Sequence, residues 1–392
     1  MLFPVLNPEI QLFIDQNVGT DLTQLALRKN PFPDFDWIAI INQVAAKTKA
    51  KDKLPTWFSA SNIVFPSKIS VEQTSSERTA LYKSQLVKGD SLIDLTGGFG
   101  VDDYYFAKLM KNVVHCEINP DLSAIVKHNF EQLHSHNAEC ISGDSAAILK
   151  ELDRQFAWIY IDPSRRNDAK GKVFLLKDCL PDVPNLLDFY FKYSNNVMIK
   201  TAPILDIAAG LAELKNVREI HIVAVENEVK ELLWIMEKEF KGLVSIKCVN
   251  ILKVSTEEFN FNLGAVSDSV FSLPKKFIFE PNAAIMKSGG FDAVGAHFGL
   301  SKLHQHSHLY TSDEPIDFPG RIFEVGHNIG YNKTEMKMYL ENRKANITTR
   351  NFPDSVELIR KKWKIKDGGN QYCFFTTDAN NHKIVLICAK IK

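Results

Sequence analysis

SLIDLTGGFGVDDY, residues 91–104, is the stretch that decides the fold of this chain. The apolar pair Leu92-Ile93 runs into a carboxylate, Asp94. A glycine-rich turn follows, Thr96-Gly97-Gly98-Phe99-Gly100, and a helical pattern begins after it. Strand, acid, flexible turn and helix together describe a nucleotide-type ligand site at the carboxyl end of a parallel strand. The stretch alone leaves two ligands open, a dinucleotide and S-adenosylmethionine.

Working outward, strands and helices alternate from residue 91, which predicts a parallel, doubly wound α/β sheet. Apolar runs mark strands at 91–95, 113–118, 139–142, 158–162, 196–201, 219–225 and 244–251. Between the second and third, Asn119 can cap a helix and Pro120 suits its first turn. Leu122, Ile125, Val126, Phe130 and Leu133 then form one apolar stripe. These seven strands make a Rossmann-like domain over residues 70–258. Before it, 1–69 reads as a helical region, with Trp37, Ile38, Ile41, Val44 and Ala45 at helical spacing. At 74–77 the pattern S/T-x-x-E predicts a capping box that opens a further helix. After a linker at 268–274, a small Gly- and His-rich unit spans 275–320. A last α+β unit spans 321–392, with a basic helix at 355–363.

Acidic residues near the strand ends choose between the two ligands. A dinucleotide fingerprint requires no acid at the position of Asp94. An S-adenosylmethionine site uses a carboxylate there, near the ammonium of the methionine moiety, with Gly98 and Gly100 letting the backbone approach. Thr96 stands where that pattern has its first glycine. Glu117 ends the second strand, 23 residues after Asp94, where a carboxylate can accept both ribose hydroxyls. Ile118 is then placed to pack on an adenine face. Asp144, after the third strand, either accepts the adenine amine or caps the helix beginning at Ser145.

Asp162-Pro163-Ser164-Arg165-Arg166 ends the fourth strand. Exocyclic-amine methyltransferases carry D/N/S-P-P-Y/F/W at that place, where side-chain and backbone oxygens accept the amine hydrogens. Asp162 and Pro163 match; Ser164 and Arg165 depart from it and remove the aromatic partner. Arg165, with Arg166 beside it, either meets phosphate or a base, or closes an internal salt bridge to an acid such as Asp168. Transfer to a pyrimidine carbon would need a Cys nucleophile, and Cys179 is the nearby thiol. Transfer to nitrogen needs only in-line positioning and is the preferred reading.

Lys+Arg and Asp+Glu are both 47, so total charge names no partner. Between Lys333 and Lys366, however, ten basic residues face four acidic ones, and Lys361 and Lys362 lie in this tract. A phosphate-tracking surface and a solvated domain face are the two readings. Lys47, Lys49, Lys51 and Lys53 form a second basic stretch. The six cysteines show neither paired nor metal-like spacing, so a reduced, cytoplasmic setting is expected. No run reaches the length of a membrane helix. His304, His306 and His308 alternate as on one face of a strand, but lack a fourth ligand, so no metal is expected. Oligomeric state is not legible.

With these residues in hand, the chain resembles class I S-adenosylmethionine-dependent methyltransferases. More closely it is similar to a Bacteroidetes-type family with a ferredoxin-like insert and a THUMP-like C-terminal domain. The strings that carry the resemblance are EQTSSERTALYK (72–83), DLTGGFGVD (94–102), IDPSRR (161–166), KTAPILDI (200–207), EPNAAIMKSGG (280–290), HSHLYTSDEPIDFPGRIFEV (306–325) and ANITTRNFP (345–353). DLTGGFG is also similar to the DATAGLGRD segment of ribosomal-RNA guanine-amine methyltransferases. THUMP domains in related enzymes bind RNA, so the resemblance implies a tRNA or rRNA substrate, methylated on a base nitrogen. The rivals are a small-molecule or protein methyltransferase, a non-catalytic RNA-binding protein keeping the fold, and last a NAD dehydrogenase.

Overall fold

Leu92 and Ile93 are fully buried because their strand, β1 (Ser91–Asp94), has a parallel neighbour on each side. In this computed structural model, which describes residues 3–66, 68–165 and 175–392, the neighbours are β2 (Asn112–Glu117) and the strand Trp158–Ile161. With β3 (Ala138–Ser142) outside β2, that strand is β4, and β5 (Asn196–Thr201) runs parallel outside it. A hairpin follows, β6 (Val217–Val225) and β7 (Glu228–Glu237), turning through Glu226 and Asn227, both with left-handed backbone. β7 runs antiparallel to β5, Lys200 lying opposite Leu233.

The order 3-2-1-4-5 reverses direction between β1 and β4, which opens a crevice at the carboxyl ends of those strands. β7 is a correction to the sequence reading, which took 244–251 as the seventh strand. Its core, Leu232-Leu233-Trp234-Ile235-Met236, is buried on both faces and so shows no alternation from which to read a strand.

The chain forms two compact units, Met1–Arg218 with Leu232–Lys241, and Glu219–Glu231 with Gly242–Lys392. In the first, the N-terminal region is helical as expected. Its longest helix, α1 (Trp37–Lys53), is capped by Asp36 and buries Ala46 and Ala50 in one cluster with Trp57, Phe99, Val126 and Phe130. Phe99 belongs to the glycine-rich turn and Val126 and Phe130 to the helix Pro120–Gln132, so the helical region braces the turn from behind.

The capping box at 74–77 is not used. Ser76 caps α2 (Glu77–Leu86) through the amide of Thr79, and Glu77 accepts from Thr56 N (2.6 Å), Thr56 Oγ1 (2.8 Å) and Tyr105 (2.7 Å). Ser75 is thereby left for another task.

In the second unit, β8 (Ser245–Ile251) pairs parallel with β6 and antiparallel with β9 (Thr256–Asn262). A second sheet holds β10 (Phe277–Pro281), β11 (Ser301–Lys302), β12 (Tyr310–Ser312), β13 (Gly320–Gly330), β14 (Asn346–Arg350), β15 (Gln371–Thr377) and β16 (Lys383–Lys390). Its order is 11-12-10-13-16-15-14. Apolar faces of β10, β13, β15 and β16 meet in a core of Ile278, Phe323, Phe374 and Leu386. Glu280 shares the Ile278 face and is 2% exposed, held there by Arg321 Nε (2.7 Å) and Arg350 Nη2 (2.9 Å). A carboxylate this deep requires such partners.

Candidate active site

The site grows from the end of β1. Asp94, 2% exposed, accepts hydrogen bonds from the Thr96 amide (2.7 Å) and the Thr96 hydroxyl (3.0 Å). The same hydroxyl accepts from the Asp162 amide at 2.6 Å. Thr96, out of place in a glycine pattern, therefore ties the ends of β1 and β4 together, a bond that glycine could not make.

The next residues have no room or no tolerance for side chains. A Cβ on Gly97 would overlap the His115 ring, and one on Gly100 would stand 2.7 Å from Val126 and 2.8 Å from Phe130. Gly98 and Gly100 have φ of +55° and +72°, the left-handed region that glycine enters without strain. The Gly98 amide donates to Glu117 Oε2 at 3.0 Å, and the Asn119 amide to Glu117 Oε1 at 2.8 Å. These two bonds aim the carboxylate along the turn. Ile118 beside it is 74% exposed, an apolar platform at the cleft wall. Asp144 caps its helix through the Ala147 amide (2.8 Å) while also lining the cleft, so both sequence readings of it are compatible with its position.

Beneath the turn lies a buried acid–imidazole group that sequence reasoning missed. His115 Nδ1 and Asp103 Oδ2 are 2.6 Å apart, both side chains wholly enclosed. Burial, then the charge of Asp103, raises the Asp94 carboxyl well above the usual carboxylate range. Burial, then Asp102, does the same for Asp103, and burial lowers His115. The available signal was a polar residue inside the apolar run Val113-Val114-His115-Cys116.

At the end of β4, Asp162 Oδ2 is 2.5 Å from the Lys200 ammonium, which comes from β5. Ser75, Asp102, Tyr160 and Lys83 complete a polar network behind that pair. These residues were also missed, although a lysine in the apolar strand Val197-Met198-Ile199-Lys200 had to have partners.

A cleft of about 870 Å³ brings together Asp94, Thr96, Gly98, Glu117, Ile118, Asp144, Asp162 and Pro163. Gly100 sits just outside as the start of α3 (Val101–Ala107). The donor set suits S-adenosylmethionine: a buried acid for an ammonium, a strand-end glutamate for a diol, an exposed isoleucine for an aromatic face, and open space above Gly98.

Other expected residues lie elsewhere. The side chain of Arg165, and Arg166 altogether, fall outside the described residues. The Ser164–Arg165 backbone pairs antiparallel with Cys179–Leu180, and Cys179, considered as a nucleophile, is fully buried. Lys361 and Lys362 belong to the second unit, on the exposed side of the helix Val356–Trp363, Lys362 lying over the Tyr331 ring at 4.9 Å. Lys47 is buried against Asp15 and Lys49 pairs with Glu72 at 3.3 Å, so these two serve the helical region itself. The histidines lie in a turn rather than a strand: His304 meets Asn351 (2.9 Å) and Asn381 (3.1 Å), and His308 stacks on Phe291. No helix among the described residues is long and apolar enough to cross a membrane.

Residues 277–319 match a ferredoxin-like domain family and residues 320–390 a THUMP domain-like family. Over 300 residues, 76% of this chain and 80% of the relative, the sequence is 24% identical to a protein of Mycobacterium tuberculosis named as an uncharacterized S-adenosylmethionine-dependent methyltransferase. A solved structure from Porphyromonas gingivalis W83, described as a methyltransferase, superposes with a TM-score of 0.86 at 29% identity, covering 100% of both chains. Fold, cleft and relatives define the chain as a class I S-adenosylmethionine-dependent methyltransferase. Within that class it is one with a ferredoxin-like domain and a THUMP-like domain toward its C-terminus.

Proposed function

We propose that this methyltransferase acts in the cytoplasm on a base nitrogen of RNA, either tRNA or rRNA. The observation that carries the reading is the Thr96 bridge, which joins Asp94, on the cofactor side, to Asp162, on the acceptor side, across one cleft. Asp94, Thr96, Gly98, Gly100, Glu117, Ile118 and Asp144 hold the cofactor. Bound S-adenosylmethionine supplies an electrophilic methyl group on a sulfonium. Asp162 accepts a hydrogen of the acceptor amine and, with Pro163 shaping the turn, aims the nitrogen lone pair at that methyl. Asp162 would also take the proton that the methylated nitrogen sheds and pass it to solvent.

RNA as substrate is supported by the THUMP-like match and by the basic exposed helix carrying Lys361 and Lys362. Cationic side chains of this kind bind phosphates in a salt-dependent way. The division of labour we infer is a helical brace at 1–69, transfer at 70–258, and substrate recognition by 275–320 and 321–392. Mass spectrometry of nucleosides from the RNA of a strain lacking the protein tests the reading: one methylated base should disappear. Asp162→Ala should abolish transfer to that RNA and leave cofactor affinity within a few-fold; undiminished turnover would sink the assignment.

A further inference from the structure

Lys200 is an ammonium in a sheet strand, its side chain 11% exposed and its residue opposite Leu233 in β7. Such a group is placed at a desolvation cost unless every donor is used. Its Nζ reaches Asp162 Oδ2 at 2.5 Å and Ser75 Oγ at 3.3 Å. Ser75 in turn donates to Asp102 Oδ2 (2.8 Å) and accepts from Lys83 (3.1 Å), so its one hydrogen and both lone pairs are committed. Asp102 is held from the far side by Lys83 (3.2 Å) and by the Tyr160 hydroxyl (2.8 Å). Burial pushes the Asp102 carboxyl up, but the ammoniums of Lys83 and Lys200 with the Tyr160 and Ser75 hydrogen bonds outweigh it and hold it ionised.

Ser75, Asp102, Tyr160 and Lys83 are at least nine-tenths buried and the Lys200 side chain is 11% exposed, whereas the Asp162 side chain is 38% exposed at the cleft. Asp162 is thus the most exposed member of a network that otherwise lies largely enclosed along the cleft wall. Among the described residues no hydrogen bond reaches Asp162 Oδ1, while Oδ2 is taken by Lys200. One carboxylate oxygen is pinned and the other is left toward the cleft.

We propose that Lys200 is a positioning residue for methyl transfer: it fixes Asp162 so that Oδ1 alone meets the acceptor N–H, and Ser75, Asp102 and Lys83 fix Lys200. The inference rests on the amine-orienting reading of Asp162. It also gives the 72–83 segment a task, since Ser75 and Lys83 reach the acceptor end from outside the sheet. A carboxylate free to rotate would present either oxygen over a range of directions, and an error of about 1 Å at the reacting atoms costs about 100-fold in rate.

The test uses the full chain, four single variants, Lys200→Met, Lys200→Arg, Ser75→Ala and Asp162→Ala, and the Ser75→Ala, Lys200→Met double variant, with RNA from a strain lacking the protein as substrate. Lys200→Met should lower kcat about 100-fold with cofactor affinity by calorimetry within about threefold, and Lys200→Arg should restore part of the loss. Ser75→Ala removes no charge, so it keeps the experiment readable if Lys200→Met does not fold; it should lower kcat about tenfold with KM for RNA little changed. Ser75→Ala should add little to Lys200→Met, because Ser75 acts through Lys200. Wild-type kcat in Ser75→Ala and Lys200→Met, or losses that multiply in the Ser75→Ala, Lys200→Met double variant, would overturn the positioning role while Asp162→Ala remained inactive. Full turnover in Asp162→Ala would instead overturn the amine-orienting reading, and this inference with it.

Discussion

Gly97 lies flat against the imidazole of His115, so close that a methyl group at 97 would overlap the ring. The amide of Gly97 also donates to the Cys116 carbonyl at 2.8 Å, which stops the turn from lifting away. Gly98 is different: a Cβ there would meet nothing nearer than 3.7 Å, and only its φ of +55° resists substitution. Gly97→Ala should therefore cost about 2–3 kcal/mol by overpacking, and Gly98→Ala only about 1 kcal/mol by backbone strain. Denaturant unfolding of the two variants checks the ranking; equal losses would mean that His115 can move aside.

Asp94 is raised by burial first and by the neighbouring charge of Asp103 second. With Asp94 assigned to the cofactor's ammonium, affinity for S-adenosylmethionine should fall as pH drops through that raised value, because the protonated acid carries no charge. Binding should release a proton, seen as calorimetric heats that differ between buffers of different ionisation enthalpy. Asp103→Asn removes the second cause and should extend tight binding to lower pH. Affinity that is flat with pH, without proton release, would contradict the assignment.

His308 stacks on Phe291 with ring centroids 3.5 Å apart, and burial, then Lys302 and Arg350, lowers it to about 4. The folded protein thus binds fewer protons here than the unfolded chain once pH falls below about 6.5. The corresponding stability is fully present above that value and is lost as pH falls from about 6.5 toward 4. His308→Phe should flatten this part of the curve, measured as unfolding midpoint against pH between 4 and 7.

Glu280 is the shared partner of Arg321 and Arg350 inside the second sheet. Glu280→Gln keeps the shape and removes the charge, leaving two guanidiniums uncompensated. A loss of about 2–3 kcal/mol is expected, toward the low end for a broken buried pair because both arginines are partly exposed. Faster amide exchange across 277–281 and 346–350 is the measurement; unchanged protection would mean that solvent replaces the carboxylate.

Most strand positions, and the residues proposed for the cofactor seat, were readable in the chain because their signals are local. Leu92-Ile93-Asp94, the glycines at 97, 98 and 100, and Glu117 each announce themselves within a few residues, since strand ends and tight turns make demands on neighbouring positions only. β7 was not readable: its buried run Leu232–Met236 lacks the alternation by which strands are recognised. Nor was the cap at Ser76, because the competing pattern at Thr74 is equally good locally and Glu77 is claimed by Thr56 and Tyr105 from elsewhere in the chain.

The residues from 91 to 104, read with Glu117, Asp162 and Pro163, pointed by themselves to S-adenosylmethionine and placed an acid and a glycine-rich turn at the end of a parallel strand. They could not explain Thr96, which looks like an error in a glycine motif until its hydroxyl is found between Asp94 and Asp162. They were equally silent on the network of Lys83, Ser75 and Asp102, which reaches Lys200 through Ser75 only when α2, α3 and β5 converge. A buried ion pair is a contract between distant segments: each partner is costly alone, and nothing in its own neighbourhood names the other. Tertiary structure decided which charges meet, and with them how the acceptor end of the cleft is held.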